Sequence, residues 1–295
     1  MSASPAPLQP DSALEIATRL SGDGGRYQID LNPHWMGFHT LFGGYLAAIA
    51  MRAASQASGF RRAASLSCHF LRGGQPGPAE VVVESLRANK RSESLRVSLI
   101  QQQERILEAL VWIGVEGEGF TLSHDPIPDV PPASALRDRR EQVLASRTAV
   151  SPVWDRVETR FCDRRLYEPA RPEEPDVDAW CRLRDSQPYE DALEDALRIT
   201  AIADGVFHDP LYRLLGGDPQ EYEYAVPTME LSIHFHRAAP GSEWLFCRAH
   251  CNQAAAGLVT SSARFWSGDT GQLVASARSN LACRPIAKPR PGSLV

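Results

Sequence analysis

A repeat that recurs more than half a chain length later constrains this fold more than any other sequence feature. Residues 66–72 read Leu-Ser-Cys-His-Phe-Leu-Arg, and residues 231–237 read Leu-Ser-Ile-His-Phe-His-Arg, an offset of 165 residues. A second match, between residues 106–111 and 272–277, has an offset of 166 residues. Because each copy follows a helical pattern, the repeat predicts two similar domains whose sheets pair with each other.

The two helical patterns differ in character. The first, residues 40–58, is nearly all small or apolar, which is typical of a helix that a sheet wraps. The second, residues 191–204, has small or apolar side chains at the spacing of one helix face. Strand patterns follow both helices, at 64–72, 79–88, 92–103, 105–115 and 228–237. One helix followed by antiparallel strands, repeated once, predicts an α+β fold.

Composition limits the class of protein. The chain has 295 residues, a net charge of −5 and a pI near 5.9, which argues against nucleic-acid or anionic-membrane partners. Its six scattered cysteines form no CxxC pair, which is typical of reduced thiols. The start of the sequence lacks the pattern of a signal peptide, and no apolar run reaches the roughly 18 residues that span a bilayer. We therefore expect a cytoplasmic protein.

A change in composition near the middle of the chain suggests domain boundaries. Residues 121–150 are rich in Pro, Asp, Glu and Arg, which is typical of a surface linker. This predicts an N-terminal domain over 1–120, a linker over 121–150 and a C-terminal domain over 151–295.

Two groups of histidine and cysteine residues have some features of a metal site. In Cys247-Arg-Ala-His250-Cys251 the strand pattern turns the histidine and the cysteines to opposite faces. His234 and His236 share a strand face and could bind a metal, although a solvated sheet face or a dimer contact is the favoured explanation. We therefore expect no metal and no cofactor.

A carboxylate lies on the apolar face of the second helix. The small and apolar stripe continues to Asp204, and a carboxylate aimed into a core is costly unless it is hydrogen-bonded, paired or neutralised. One interpretation is a helix end that is satisfied locally, because Gly205 follows directly. The other is a functional group beside Thr228, the hydroxyl residue that opens the next strand. Glu230 is expected to face solvent.

Several motifs, taken in order, resemble the acyl-CoA thioesterase II family of the thioesterase-like superfamily. They cover about residues 25 to 285 and comprise Phe42-Gly43-Gly44, His69-Phe70-Leu71-Arg72-Gly73, Phe235-His236-Arg237 ahead of Glu243-Trp244-Leu245, and Leu273-Val274-Ala275-Ser276. The resemblance implies a double hotdog fold, in which each antiparallel sheet wraps one long helix.

The resemblance also implies site residues. In that family the working carboxylate lies in the second-half helix, a hydroxyl residue opens the next strand, and a glutamine lies on the last strand. These positions fall on Asp204, Thr228 and Ser279. Ser279 departs from the usual glutamine, and Ser67 stands where members usually carry histidine. A serine reaches less far than a glutamine, so it holds a water only in a narrower pocket or with help from Asn280.

The activity implied is hydrolysis of acyl-CoA thioesters to free acid and CoA. Asp204 would act as general base, while Thr228 and Ser279 orient the water. The substrate is expected to contact Phe42, Gly43, Gly44 and Asn280, with the glycine N–H groups as candidate donors to the oxyanion. A nucleophile-elbow hydrolase is not expected, because the sequence has no G-x-S-x-G motif.

Two other functions stay open at this point. The missing glutamine would suit a protein that binds an acyl thioester without cleaving it. A hotdog dehydratase or hydratase would need an acid–base pair, for which Asp204 and His208 are candidates. In each case the partner is acyl-CoA or another acyl thioester, and analogy with hotdog proteins suggests a homo-oligomer.

Overall fold

One antiparallel sheet, built jointly by both halves of the chain, is the centre of the computed structural model. The structure describes residues 13–120, 122, 125–146, 151–163, 175–184, 189, 191–215 and 224–286. The strands are β1 Ser21–Asp23, β2 Arg26–Leu31, β3 Arg62–Phe70, β4 Gly77–Ala88, β5 Ser92–Gln101, β6 Glu104–Gly114, β7 Val157–Phe161, β8 Asp176–Leu183, β9 Tyr224–Ala225, β10 Thr228–Phe235, β11 Leu245–Ala255, β12 Leu258–Ser267, β13 Leu273–Ala282 and β14 Arg284–Pro285.

Twelve of these strands form the sheet in the order β1-β2-β4-β5-β6-β3-β10-β13-β12-β11-β8-β7, and β9 pairs with β14 separately. The helices are α1 Leu14–Ala17, α2 Gly43–Ser58, α3 Arg139–Ser146, α4 Ala192–Val206 and α5 Asp209–Leu215. No helix within these described residues combines the length and the apolar character needed to cross a lipid bilayer.

The two sequence repeats meet at the centre of the sheet. Strands β3 and β10 are antiparallel neighbours in which Ser67 faces Ser232, its own repeat equivalent, with 3.1 Å between the hydroxyl oxygens. A local twofold relationship therefore passes through this seam, and the predicted pairing of the two sheets is confirmed. The second sequence match is out of register by two residues, because Ser67 pairs with Leu110 and Ser232 with Arg278.

The helices α2 and α4 lie side by side and antiparallel beneath the sheet. Arg52, in the second half of α2, donates two 2.8 Å hydrogen bonds to Glu194 near the start of α4. Gly44, at the start of α2, contacts Ala201 in the last turns of α4. The small side chains of α2 allow this close approach, which explains why the helix is buried on most of its surface.

The segment after β6 packs against the outer face of the second-half sheet. The Trp180 indole donates to the Pro131 carbonyl and the Trp266 indole donates to the Asp125 carbonyl, both at 2.8 Å. Leu136 is buried against this cluster. Residues 125–136 therefore cover two indole rings instead of running free over the surface. The domain boundaries at 120 and 150 stay a prediction, and residues 147–150 lie outside the described part.

A buried ion pair anchors α3 to the second half. Arg139 and Asp209 are 7% and 2% exposed, and their charged atoms lie 3.0 Å apart. The Arg139 guanidinium also lies over the Trp154 ring at 4.0 Å. Because Asp209 starts α5, directly after α4, this pair fixes the chain close to the end of α4.

We expect Arg139→Ala to lower the free energy of unfolding by about 3–5 kcal/mol, because it leaves the Asp209 carboxylate buried without its main partner. The control is Arg140→Ala on the same helix, which removes an ion pair to Asp155, a side chain that is 44% exposed. The control should cost less than about 1 kcal/mol. Urea denaturation measures both variants, and equal losses would show that Arg139 does not anchor α3.

Candidate active site

The helix α2 begins without a capping side chain of its own. Its N-cap residue is Phe42, and its first turn contains no acidic side chain. The first N–H groups of a helix need acceptors from outside the helix. Asp204 of α4 supplies one, because its Oδ2 accepts a hydrogen bond from the Gly44 N–H at 3.1 Å. A carboxylate from the second half therefore caps the helix of the first half, at the positive end of its dipole.

The glycine pair makes room for this contact. A Cβ on Gly43 would lie 2.8 Å from Asp204 Oδ2 and 3.0 Å from the Phe70 ring. A Cβ on Gly44 would lie 2.3 Å from the Ala201 carbonyl oxygen. Gly43 thus leaves space for the carboxylate and the ring, whereas Gly44 lets the two helices approach.

The environment of Asp204 favours the protonated acid. The residue is 4% exposed, and burial raises its pKa above the usual range. The charge of His208, the Thr228 hydroxyl and the N–H groups of Gly44 and Gly43 oppose this effect without cancelling it. Oδ1 accepts no well-formed hydrogen bond from any described residue, although the Thr228 hydroxyl lies near enough to lower the pKa.

A β-bulge turns Thr228 toward this carboxylate. Glu230 pairs with Asn280 and Thr228 pairs with Leu281, so Met229 is the extra residue on β10. Leu281 is fully buried on the helix side of the sheet, and Thr228 therefore shares that side. Simple alternation would have placed Thr228 and Glu230 on the same face. The bulge separates them, as such irregularities commonly do near functional sites.

Ser279 and Asn280 point to opposite faces of β13. Ser279 is 2% exposed on the helix side, where its hydroxyl donates to the Glu230 carbonyl oxygen at 2.9 Å. Asn280 lies on the outer face, where its Nδ2 donates to Glu230 Oε2 at 2.5 Å. The structure therefore brings Asp204 and Thr228 together and places Ser279 on their side of the sheet. It does not bring Asn280 to Asp204.

Glu230 does not simply face solvent, contrary to the expectation from sequence. It is half-buried, and in addition to Asn280 its Oε1 accepts from the Ser232 hydroxyl at 2.8 Å. Ser232 contacts Ser67 across the seam, so Ser67 belongs to this outer-face network and not to the surroundings of Asp204. The sequence pattern could not show this, because the contacts join residues of different strands.

Phe70 and Cys68 lie near the carboxylate, although their sequence pattern predicts no role for them in a site. The half-buried ring of Phe70 lies over Gly43, and the Phe42 ring lies over Gly44 and Gly205. The Cys68 thiol is fully buried, and burial together with the nearby Asp204 and Glu230 carboxylates raises its pKa well above the usual range. The recurrence of Phe70 as Phe235 in the repeat was a signal of structural importance, but not of proximity to Asp204.

His208 is engaged away from the carboxylate. Its Nε2 lies 2.8 Å from the Val226 carbonyl oxygen, which fixes this nitrogen as the donor. Its ring stacks on Tyr212 with 5.9 Å between the ring centres. The side chain acts on Asp204 through its charge.

Other histidines have partners of their own. His250 Nδ1 lies 2.8 Å from Asp176 Oδ1, and His236 Nε2 lies 3.0 Å from the Ser276 hydroxyl. Cys247 and Cys251 are buried on the face opposite His250, as the strand pattern predicts. Across the described ranges, no three His, Cys, Asp or Glu side chains converge as metal ligands would.

The close approach at Gly44 leads to a stability prediction. Gly44→Ala should lower the free energy of unfolding by about 1–3 kcal/mol, because the new methyl group meets a backbone carbonyl that cannot rotate away. The matched control is Gly205→Ala in α4, whose new Cβ would lie 3.4 Å from the Phe42 ring. The control should gain up to about 1 kcal/mol from helix propensity. Chemical denaturation compares the two, and a neutral Gly44→Ala would contradict the close packing.

The raised pKa of Asp204 predicts how stability depends on pH. The folded pKa lies above the unfolded one, so ionisation destabilises the fold as pH rises from the unfolded pKa through the folded pKa. Asp204→Asn should therefore melt at a higher temperature than the native chain at neutral pH, and this gain should vanish in acid. Asp191 provides a control of opposite sign. Burial raises its pKa, but Arg61 and the Leu193 N–H outweigh that effect and lower it. Asp191→Asn should therefore melt lower at neutral pH, and a gain there would contradict the linkage.

Comparisons with known proteins identify the family and the fold. Residues 31–114 match the model of the acyl-CoA thioesterase N-terminal domain, and residues 128–281 match that of the acyl-CoA thioesterase C-terminal domain. No curated protein is similar enough to the chain to be matched.

Solved structures show the same fold at low sequence identity. A conserved protein of unknown function with a hot dog fold from Alicyclobacillus acidocaldarius has a TM-score of 0.79 at 18% identity, over 93% of this chain and 98% of that one. Acyl-CoA thioesterase II TesB2 from Mycobacterium marinum has 0.74 at 20%, over 94% and 100%. The tesB protein of Mycobacterium avium subspecies paratuberculosis has 0.73 at 21%, over 92% and 98%.

The double hotdog fold that the sequence resemblance implied is thus confirmed. Since the two domain models together span both halves of the sheet, the chain belongs to the acyl-CoA thioesterase family.

Proposed function

We propose that the chain hydrolyses acyl-CoA thioesters to the free acid and CoA, with Asp204 activating the attacking water. The observation that carries this proposal is the unequal environment of the two carboxylate oxygens. Oδ2 is held by the Gly44 N–H, whereas Oδ1 accepts no well-formed hydrogen bond from the described residues. A general base needs a fixed orientation, an available oxygen and a pKa raised toward neutrality, and Asp204 combines the three.

The reaction follows from this arrangement. Oδ1 accepts a proton from water as the water oxygen bonds to the thioester carbonyl carbon, and the negative charge moves to the carbonyl oxygen. The C–S bond then breaks as the carbonyl re-forms, and the protonated carboxyl returns its proton to the departing CoA thiolate. Thr228, turned inward by the bulge, can orient the water beside the carboxylate. Ser279 would act indirectly, because its hydroxyl donates to the Glu230 carbonyl oxygen and so holds the backbone of β10 near Thr228.

The start of α2 has a different role in this proposal from the one that the sequence suggested. The sequence pointed to the Gly43 and Gly44 N–H groups as donors to an oxyanion. In the structure the Gly44 N–H donates to Asp204, so the helix start holds the base instead. The rings of Phe42 and Phe70 lie against the glycines around the carboxylate and would offer an apolar surface to the acyl part of a substrate.

The distribution of polar groups between the halves supports a single site of this kind. Ala63 stands at the repeat equivalent of Thr228, and Val111 stands at the equivalent of Ser279. Neither can hold a water by a side-chain hydrogen bond. Of these two pairs of equivalent positions, only the pair in the second half, on the side of the sheet that carries Asp204, has hydroxyl side chains.

The proposal is tested by measuring CoA thiol release from a panel of short-, medium-, long-chain and aromatic acyl-CoAs. Asp204→Asn should lower kcat by about 10²–10⁴-fold, the usual contribution of a general base, while the fold is retained. Asp191→Asn, at the other end of α4, should stay within about twofold of the native kcat, because its contacts to the Leu193 N–H and to Arg61 lie far along the helix from Asp204.

Two results would contradict the proposal. Full turnover by a folded Asp204→Asn would remove this residue from the mechanism. Tight binding of acyl-CoA by the native chain without thiol release would favour a protein that holds the thioester without cleaving it.

A further inference from the structure

We propose that Glu230 is a positioning residue, which acts from the outer face of the sheet by holding the bulge that turns Thr228 toward Asp204. The inference rests on the proposed function, since it concerns the geometry of the same site. It starts from the fact that Thr228 and Glu230 are two residues apart but lie on opposite faces of β10. Any slip of the bulge by one residue would turn Thr228 away from the carboxylate.

Glu230 is bonded to both strands that define the bulge. Its Oε2 accepts from Asn280 Nδ2 on β13 at 2.5 Å, and its Oε1 accepts from the Ser232 hydroxyl on β10 at 2.8 Å. Its carbonyl oxygen accepts from the Ser279 hydroxyl at 2.9 Å. On the other side of Met229 the Ala282 N–H donates to the Pro227 carbonyl at 3.0 Å. The extra residue is thus held between two points where β10 is tied to β13.

The first half contains the same bulge without these side-chain contacts. There the register shifts between Ala63 and Ser65 on β3, at the repeat equivalents of Thr228 and Glu230. Ser65 pairs with Trp112, so this half has no carboxylate–amide contact at the position. The bulge is therefore common to both halves, and in the first half it forms without side-chain contacts like those of Glu230 to Asn280 and Ser232. The Glu230 contacts occur only in the second half, where the inward residue is Thr228 and not an alanine. This favours a role for Glu230 in the site over a role in forming the fold.

The residue next to Glu230, Leu231, pairs with Cys68, a thiol on which the charge of Asp204 also acts. The Cys68 thiol on the neighbouring strand feels the charges of both Asp204 and Glu230, and both raise its pKa in addition to the effect of burial. The charges of both carboxylates therefore act on the same thiol, although the two side chains lie on opposite faces of the sheet. Only Met229 separates Glu230 from Thr228, so a shift of the backbone at Glu230 also moves Thr228.

The first test is a kinetic double-mutant cycle with Thr228. Glu230→Ala should lower kcat about tenfold and leave KM within about twofold, a loss equivalent to about 1.4 kcal/mol in the barrier. Glu230→Gln should stay within about twofold, because its amide oxygen can accept from Asn280 and its amide N–H can donate to Ser232. In the Thr228→Val background, Glu230→Ala should cause no further loss of kcat. A full tenfold further loss there would overturn the proposal.

The second test does not depend on turnover. Carboxyl ¹³C NMR on aspartate-labelled protein, assigned with Asp204→Asn, measures the pKa of Asp204 directly. Thr228→Val should raise this pKa because it removes a hydroxyl that lowers it. Glu230→Ala should raise it as well when compared with Glu230→Gln, which removes the same negative charge but keeps the contacts to Asn280 and Ser232. In the Thr228→Val background the two Glu230 variants should have the same Asp204 pKa. An Asp204 pKa that is the same in Glu230→Ala and Glu230→Gln would overturn the proposal.

Glu108→Ala is the matched control for both tests. Glu108 is another outer-face carboxylate that accepts from a serine, Ser98, at 2.7 Å, but it lies on β6 and has no tie to the bulge of β10. It should leave kcat and the Asp204 pKa unchanged, and effects equal to those of Glu230→Ala would overturn the proposal. A native chain that releases no CoA would refute the proposed function, while the titration would still decide the role of Glu230.

Discussion

The hydrogen bond between the Gly44 N–H and Asp204 Oδ2 joins two requirements that neither half of the chain can meet alone. The helix α2 starts at a phenylalanine that cannot cap it, so its first N–H groups need an acceptor from elsewhere. The helix α4 buries a carboxylate that needs donors, because an unpaired buried charge is costly. Each helix supplies what the other lacks. The candidate site therefore exists only where the two halves meet, and it depends on the short helix–helix distance that Gly44 permits.

The duplicated framework brings these helices together and then diverges in chemistry. The seam between β3 and β10 places Ser67 against Ser232, and bulges recur at equivalent positions on both strands. Repetition thus determines the register and the direction in which the residue before each bulge points. What differs is the side chain at that position, alanine in the first half and threonine in the second. A symmetric scaffold with asymmetric side chains yields one polar site beside one buried carboxylate.

Sequence reasoning predicted the parts of this structure that depend on periodicity and missed those that depend on contacts between strands. Helical spacing predicted that Asp204 is buried, and the repeat predicted that the sheets pair. Alternation cannot reveal a bulge, so the inward direction of Thr228 could be inferred only from the family resemblance. The pairing of Glu230 with Asn280 was hidden because the two residues are 50 positions apart. Likewise, the proline-rich segment resembled a linker, since nothing in its own composition shows that it covers Trp180 and Trp266.

The inner and outer faces of the central strands are coupled through the backbone that they share. A strand that carries a site on its inner face exposes its alternate side chains on the outer face, and both sets share the same backbone hydrogen bonds. In β10 the outer set includes a carboxylate bonded to β13, and the inner set includes the hydroxyl beside Asp204. The position of the bulge decides to which face Thr228 points. Contacts on the outer face that hold β10 against β13 can therefore control the direction of this side chain on the inner face. Outer-face residues near a bulge are therefore part of the site in energetic terms, even though no substrate would touch them.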